Sequence, residues 1–266
     1  GNSKLNNKDY LDVITKQGYY VVKGNELIQK NRYKLSLAEQ KTIAYICSMI
    51  KPLSSSRDSQ NLFQLTYKFN IREYCEICGA DYDNGKNYAN AKKILKGLRD
   101  KSMWLTMEDG SETLVGWLSK VTLCKGSGIA TVTLDDDLVP YLFALGGQFT
   151  QYQLCNILSM KSAFSIRMYE LLKSYGFQKS KIFAIEELKH LLMVDDIKSY
   201  ERFPDFRRRV LDIACDEINA LTDIVVKYEL IKNGRKFEKI KFFIREKSSQ
   251  ELLLVGKSEK NFAASM

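Results

Sequence analysis

Apolar residues recur along this chain in two rhythms, one helical and one of alternate positions, and the rhythms change in blocks. Residues 1–18 are polar and predict a flexible N-terminus. Tyr19-Tyr20-Val21-Val22 predicts a short strand, and Gly24–Ile28 opens a short helix. Leu35-Ser36-Leu37-Ala38-Glu39-Gln40 carries a helix start, with Ser36 as N-cap and Glu39 as its capping-box partner. Ile43, Ile46, Cys47 and Ile50 continue one stripe until Pro52 and Ser54–Ser56 end it in a loop. Phe63–Thr66 predicts a strand, and Phe69–Gly79 a helix starting near Asn70 and stopped by Gly79.

After a loop at Asp81–Gly85 comes a helix over Lys86–Lys101. Ala91, Ile94, Leu95 and Leu98 fill one sector, while Lys92, Lys96 and Arg99 cluster roughly 120° away. Strands are predicted at Ser102–Glu108, Thr113–Leu123 and Ile129–Leu134, joined by turns at Asp109-Gly110 and Lys125–Gly128. Asp135–Asp137 precedes an apolar helix, Leu138–Leu145, and Gly146-Gly147 marks the expected domain boundary. Beyond it come a helix Ala163–Tyr175, a strand Lys181–Phe183 and a helix Ile185–Met193. A helix Pro204–Leu221 and strands Ile224–Leu230 and Phe237–Arg245 about an Asn233-Gly234 turn complete the pattern.

The two halves repeat. Phe69-x-Ile71-x-Glu73 matches Phe183-x-Ile185-x-Glu187 at an offset of 114, and Ile94-Leu95 matches Val210-Leu211 at 116. Each half reads helix, short strand, helix, basic helix and β-hairpin. The expected fold is therefore α+β, tandem winged-helix domains related by internal duplication. The domains are expected at 19–147 and 148–247, with residues 1–18 and 248–266 as tails.

Charge sharpens this picture. The formal net charge is +9, and the excess is shared: 20 Lys/Arg against 16 Asp/Glu in residues 1–149, and 19 against 14 in residues 150–248. Both halves can lean on a polyanion. The six cysteines lack framework spacing. The sequence opens without a hydrophobic export signal and has no apolar run approaching ~18 residues, so a soluble intracellular protein with reduced thiols is expected.

The cations concentrate where a winged helix would meet duplex DNA. On the second basic helix Phe206, Leu211, Ile213, Ala214, Ile218 and Leu221 form a wide apolar face about Val210. Arg208, Arg209, Asp212, Asp216 and Asn219 lie outside it, and Arg207 falls over it but in the first turn. Arginines at a helix start oppose its macrodipole and call for a compensating anion. An arginine there can also fork onto guanine O6 and N7. Lys232, Arg235 and Lys236 surround the hairpin turn, placed for phosphate or minor groove, although a solubilising hairpin tip has the same composition. The candidate DNA contacts are Lys86, Asn87, Lys92, Lys93, Lys96 and Arg99 on the first basic helix. In the second half they are Lys198, Tyr200, Arg202, Arg207, Arg208, Arg209, Asn219, Lys232, Asn233, Arg235 and Lys236.

Enzymatic chemistry finds little to build on. His190 is the only histidine, expected beside a core face, which leaves no paired-histidine metal site and no Ser-His-Asp triad. The phosphate-binding G-x-x-x-x-G-K-[ST] loop is absent. Cys75-x-x-Cys78 has no second pair and sits in a helical pattern. Asp135–Asp137 stands at a helix start, where acids are favoured without any metal. No enzyme, no cofactor and no metal are expected.

With those residues in view, the chain resembles the iteron-binding replication initiators of theta-replicating plasmids. The resemblance runs from about Val21 to Glu246 and is carried by Val21-Val22-Lys23-Gly24-Asn25-Glu26-Leu27, Leu35-x-Leu37-x-Glu39-Gln40 and Ser165–Lys173. Ile218-Asn219-x-x-Thr222-Asp223-Ile224 and Gly234-Arg235-Lys236 add to it. It implies a bacterial, cytoplasmic protein in which Pro204–Leu221 reads the major groove of repeated origin sequences. The N-terminal domain would add backbone contacts and, in a dimer, the dimer interface. The resemblance further implies origin opening, host partners such as helicase or initiator, a monomer–dimer equilibrium and, in some members, self-repression. A winged-helix transcription regulator without initiator activity shares the same binding chemistry.

Overall fold

The computed structural model describes residues 7–50, 57, 60, 62–79, 86–143 and 146–255. Its elements begin with α1 (Asn7–Gln17), β1 (Tyr20–Gly24), α2 (Asn25–Lys30) and α3 (Leu37–Ser48). Next come β2 (Thr66–Asn70), α4 (Ile71–Cys78), α5 (Asn87–Asp100), β3 (Ser102–Thr106), β4 (Glu112–Gly116), β5 (Leu118–Cys124) and β6 (Ile129–Leu134). They continue with α6 (Val139–Leu142), β7 (Phe149–Gln153), α7 (Cys155–Leu158), α8 (Ala163–Ser174), β8 (Ser180–Ala184) and α9 (Ile185–Leu191). The last are α10 (Phe203–Phe206), α11 (Asp212–Leu221), β9 (Ile224–Asn233) and β10 (Lys236–Glu246). Two compact units result, Gly1–Gly24 with Ala38–Leu158 and Asn25–Leu37 with Ser159–Met266.

In the first unit an antiparallel sheet of order β2-β6-β5 turns one face inward. Tyr67 and Phe69 alternate with exposed Thr66, Lys68 and Asn70, as a half-buried strand requires. Phe69 packs edge-on against Tyr45 of α3, with ring centroids 5.3 Å apart. The Asn70 side chain accepts from Glu73 N at 3.0 Å and starts α4, and Gly79, at φ 69°, ends it in a left-handed turn. α5 buries Ala91, Leu95 and Leu98.

Several predicted elements shift here. Within the stretch expected to be flexible, Asn7–Gln17 form α1, which packs on α4 with Val13 buried and a Lys16–Glu73 ion pair, a tertiary contact that polar composition does not reveal. The strand expected at Phe63–Thr66 lies at Thr66–Asn70, and the backbone of Phe63 forms an isolated bridge with Arg57. The single strand expected over Thr113–Leu123 is two: β4 pairs with β3, and β5 with β6. The chain switches sheets at buried Trp117, where Asp135 Oδ2 accepts from Gly116 N (3.1 Å) and Trp117 O accepts from Asp135 N (3.1 Å). The two units part after Leu158 rather than at Gly146-Gly147, because β7 pairs with β1. α6 runs over Val139–Leu142 with Phe143 as its cap, and the last predicted positions, 144–145, lie outside the described residues. The loops predicted at Pro52–Ser56 and Asp81–Gly85 lie outside the described residues.

The second unit carries a sheet of order β8-β10-β9. In both sheets the last strand sits between the first and the middle one, so β2, β5 and β6 correspond to β8, β9 and β10. This is the duplication that the sequence offsets predict, with β3–β4 an added hairpin in the first copy. Phe183 and Phe242 meet edge-on at 6.1 Å under the second sheet. Two carboxylates grip α8. Glu217 accepts from Lys161 N, Ser162 N and Ser165 Oγ at 2.7–3.0 Å, while Asp223 accepts from Tyr169 Oη at 2.7 Å and Lys173 Nζ at 2.5 Å.

The segment Asn25–Leu37 straps onto this unit. Leu27 and Ile28 are fully buried, and α2 packs on α8. Buried Arg167 donates to Ile28 O (2.7 Å) and Asn31 O (2.9 Å), with its guanidinium 4.4 Å over the Tyr33 ring. Gln29 donates to Ser174 Oγ at 3.0 Å. Arg32 donates to His190 O and Asp195 Oδ1 at 2.9 and 3.0 Å. His190 itself is exposed and bonds to Asp195 at 2.8 Å, so the expectation that it lies beside the core is met instead by its neighbour Lys189, which is buried.

Candidate nucleic-acid interface

The helix predicted over Pro204–Leu221 is not uniform. Between α10 and α11 the residues Arg207–Leu211 form one π turn, closed by Asp212 N donating to Arg207 O. A π turn inserts a residue into the helical rhythm. Phe206, Val210, Leu211, Ala214, Cys215, Ile218 and Leu221 are buried, whereas Arg207, Arg208 and Arg209 all face solvent. The α-helical reading puts Arg207 over the apolar face and Ile213 within it. Arg207 is in fact exposed, and Ile213 is 42% exposed.

Aromatic rings tie this basic turn to the hairpin. Phe203 at the start of α10 lies 5.0 Å from Phe237 of β10, and Lys232 Nζ stands 4.9 Å over the Phe237 ring. Tyr200 and Phe203 both contact buried Phe206, at 6.3 and 6.4 Å. The hairpin turns at Asn233-Gly234 with Gly234 at φ 65°, a conformation that a side chain resists. Lys198, Arg202, Lys232, Asn233, Arg235 and Lys236 are exposed around this frame. Sequence reasoning did not find Phe203 and Phe237. Their signal is an aromatic before the helix proline and another just past the wing glycine.

Acids temper part of the charge. Asp205 pairs with Arg208 at 3.5 Å and with Arg202 at 3.9 Å, and Asp212 pairs with Arg207 at 3.8 Å. Arg209 has no ion pair among the described residues. Tyr228 Oη donates to Asp212 Oδ1 at 2.6 Å, and burial followed by this carboxylate pushes the phenol up to about 12. Asn219 stands apart. Its amide donates to Val226 O (2.9 Å) and accepts from Val226 N (2.7 Å), which fastens α11 to β9 and occupies both ends of the side chain.

In the first unit Lys86, Lys92, Lys93, Lys96 and Arg99 are exposed along α5. Lys96 pairs with Asp100, and Arg99 Nε donates to Ser119 O at 3.0 Å. Asn87 is half-buried, and its backbone carbonyl accepts from Cys75 Sγ at 3.9 Å. The β5–β6 turn corresponds to the second wing, and exposed Lys125 is a further cation there that sequence reasoning passed over.

The cysteine pair and the acidic cluster each have partners within the fold. Burial raises Cys75 to about 11 and pushes Cys78 up as well. Asp135, Asp136 and Asp137 bring their oxygens within 4.8 Å of one another. Asp135 nevertheless uses both oxygens on backbone N–H groups, of Asp137 (3.0 Å) and Gly116 (3.1 Å). No helix among the described residues is long and apolar enough to cross a membrane.

Residues 20–173 match the family described as initiator replication protein, WH1, and residues 184–244 match initiator Rep protein, WH2. The chain belongs to this family of replication initiators. Its two winged helices are the family's two domains. An Escherichia coli "Replication initiation protein" is 24% identical over 240 residues, spanning 88% of this chain and 72% of that one. The Escherichia coli "PI protein" is 30% identical over 183 residues, 60% of each chain. An Escherichia coli "Uncharacterized 27.6 kDa protein" is 24% identical over 235 residues, 85% of this chain and 95% of its own.

Proposed function

We propose that this initiator binds the direct repeats of a plasmid origin as duplex DNA, sequence-specifically and without enzymatic activity. The observation that carries the reading is the Phe203–Phe237 contact, which makes one surface of the arginine-bearing π turn and the basic hairpin. The helix start would enter the major groove, and the wing would hold phosphates beside it. Lys86, Lys92, Lys93 and Lys125 of the first unit would add backbone contacts.

Binding would strain the duplex and help open adjacent A·T-rich DNA, where host helicase or initiator proteins load. The same binding at its own promoter would repress its gene. A monomer–dimer equilibrium would select between these roles. Its natural seat is the β3–β4 hairpin, where the cross-strand pair Trp104 and Leu114 is 56% and 53% exposed.

The test is a binding selection from random duplexes over a salt series, with Arg207, Arg208 and Arg209 replaced together by Ala. One emergent motif that the triple variant loses supports the reading, and the salt slope then counts phosphate contacts. If no motif emerges and the variant binds like the parent, the reading fails. Maintenance of a plasmid lacking any other initiator separates an initiator from a transcription regulator.

A further inference from the structure

We infer that Arg207 is the base-reading arginine of the π turn and that Asp212 and Tyr228 are its positioning residues, with Arg208 and Arg209 left to phosphates. The inference rests on the proposed DNA-binding function and deepens it. Reading guanine is favoured by a guanidinium whose plane is held before the DNA arrives, because two parallel hydrogen bonds to O6 and N7 tolerate little misalignment. Contact with a phosphate tolerates much more.

The three arginines are held differently. Arg207 Nε lies 3.8 Å from Asp212 Oδ2, and its guanidinium carbon is 5.7 Å from the centre of the Tyr228 ring. Asp212 is held from its other side, where Tyr228 Oη donates to Oδ1 at 2.6 Å. Tyr228 is in turn anchored in β9, with its ring edge-on to buried Phe242 at 6.0 Å. A chain of contacts therefore runs from the core to the Arg207 guanidinium. Arg208 donates to Asp205 Oδ1 at 3.5 Å but has 71% of its side chain in solvent against 48% for Arg207, and Arg209 has no ion pair among the described residues.

The π turn supplies the geometry. Arg207 accepts the π-closing bond from Asp212 N through its own carbonyl, so the arginine and its carboxylate are spaced by the irregular turn itself. A regular helix would carry Arg207 over the apolar sector. Asp212 also spends one oxygen on Tyr228, so the carboxylate orients Arg207 without enclosing it.

The experiment measures affinity for the selected motif with each base pair changed in turn, for the full chain and for Tyr228→Phe, Arg207→Lys and Arg208→Ala. Tyr228→Phe keeps the ring against Phe242 and removes only the hydroxyl, and a thermal melt confirms the fold. The expected result is that Tyr228→Phe and Arg207→Lys relax discrimination at one and the same G·C pair, by about tenfold, with the salt slope unchanged. Arg208→Ala should weaken every sequence alike and lower the slope by about one. Asp212→Asn is the second probe and should relax the same base pair. The inference is overturned if Tyr228→Phe weakens all sequences equally or leaves the preference intact. It is also overturned if the preference follows Arg208. If the parent has no preference at any base pair, the proposed function itself falls, which is a separate result.

Discussion

The rings of Phe203 and Phe237 lie 5.0 Å apart, one at the first turn of the basic helix and the other beside the wing turn. Neither carries charge, yet they set the spacing between the cations that do. Phe237→Ala should release the wing from the helix. Duplex binding is expected to fall about tenfold for all sequences, ~1.4 kcal/mol, while unfolding stability drops by only about 1 kcal/mol. Titration against matched and mismatched duplexes, beside a denaturant melt, checks both numbers.

Arg167 has a different task. Its fork closes two carbonyls of the strap, and a shorter or apolar side chain leaves those carbonyls buried. Arg167→Met should destabilise the second unit by on the order of 3 kcal/mol. Arg167→Lys should recover only part of this, since an ammonium lacks the planar fork. Urea unfolding with an unchanged slope would separate lost stability from a changed denatured state.

Asn219 was a candidate DNA contact from its place on the polar side of the helix, but both ends of its amide bond Val226. Asn219→Ala is expected to cost about 1–3 kcal/mol of folding stability. The motif recovered in a binding selection should stay the same. A changed motif at constant stability would return Asn219 to the interface.

Acid should loosen the cap at the end of the second unit. Residues 249–255 are helical, and Ser248 and Glu251 form a reciprocal cap, Ser248 N to Glu251 Oε1 at 3.0 Å and Glu251 N to Ser248 Oγ at 3.2 Å. Arg245 adds a bidentate pair at 2.7 and 3.0 Å. The Arg245 bonds, then the Ser248 amide, lower Glu251 to about 2. A depressed carboxylate stabilises the folded form above its ordinary range, and this contribution is lost as pH falls through the folded value. The helix should therefore fray between roughly pH 4 and 2. In Arg245→Ala the fraying should begin at higher pH. Backbone chemical shifts of residues 249–255 across that window provide the check.

Much of this architecture was legible from short-range chemistry. Asn70 and Gly79 mark both ends of α4, Asn233-Gly234 marks the wing, and the repeat offsets carry over into matching strand orders. What escaped depends on partners distant in sequence. β7 reads as polar sequence until Thr150 and Tyr152 are placed against β1. α1 is held by Glu73 and by packing on α4, which local pattern cannot report. On the candidate DNA surface the cations were legible and the groups that hold them were not. A π turn is indistinguishable from an α turn in residue spacing, and the Tyr228–Asp212 bond crosses from strand to helix.

The strap bears on how such a protein can be taken apart or recombined. Asn25–Leu37 precedes α3 in the chain but belongs to the unit that contains α8 and β10. A single cut after Leu158 therefore does not release two intact modules. The leading fragment would carry Leu27, Ile28 and Leu35 without the surface that buries them, and the trailing one would leave the Arg167 fork with no carbonyls to hold. Chimaeras that trade origin specificity between relatives should exchange the strap together with the second winged helix, as two segments and not one.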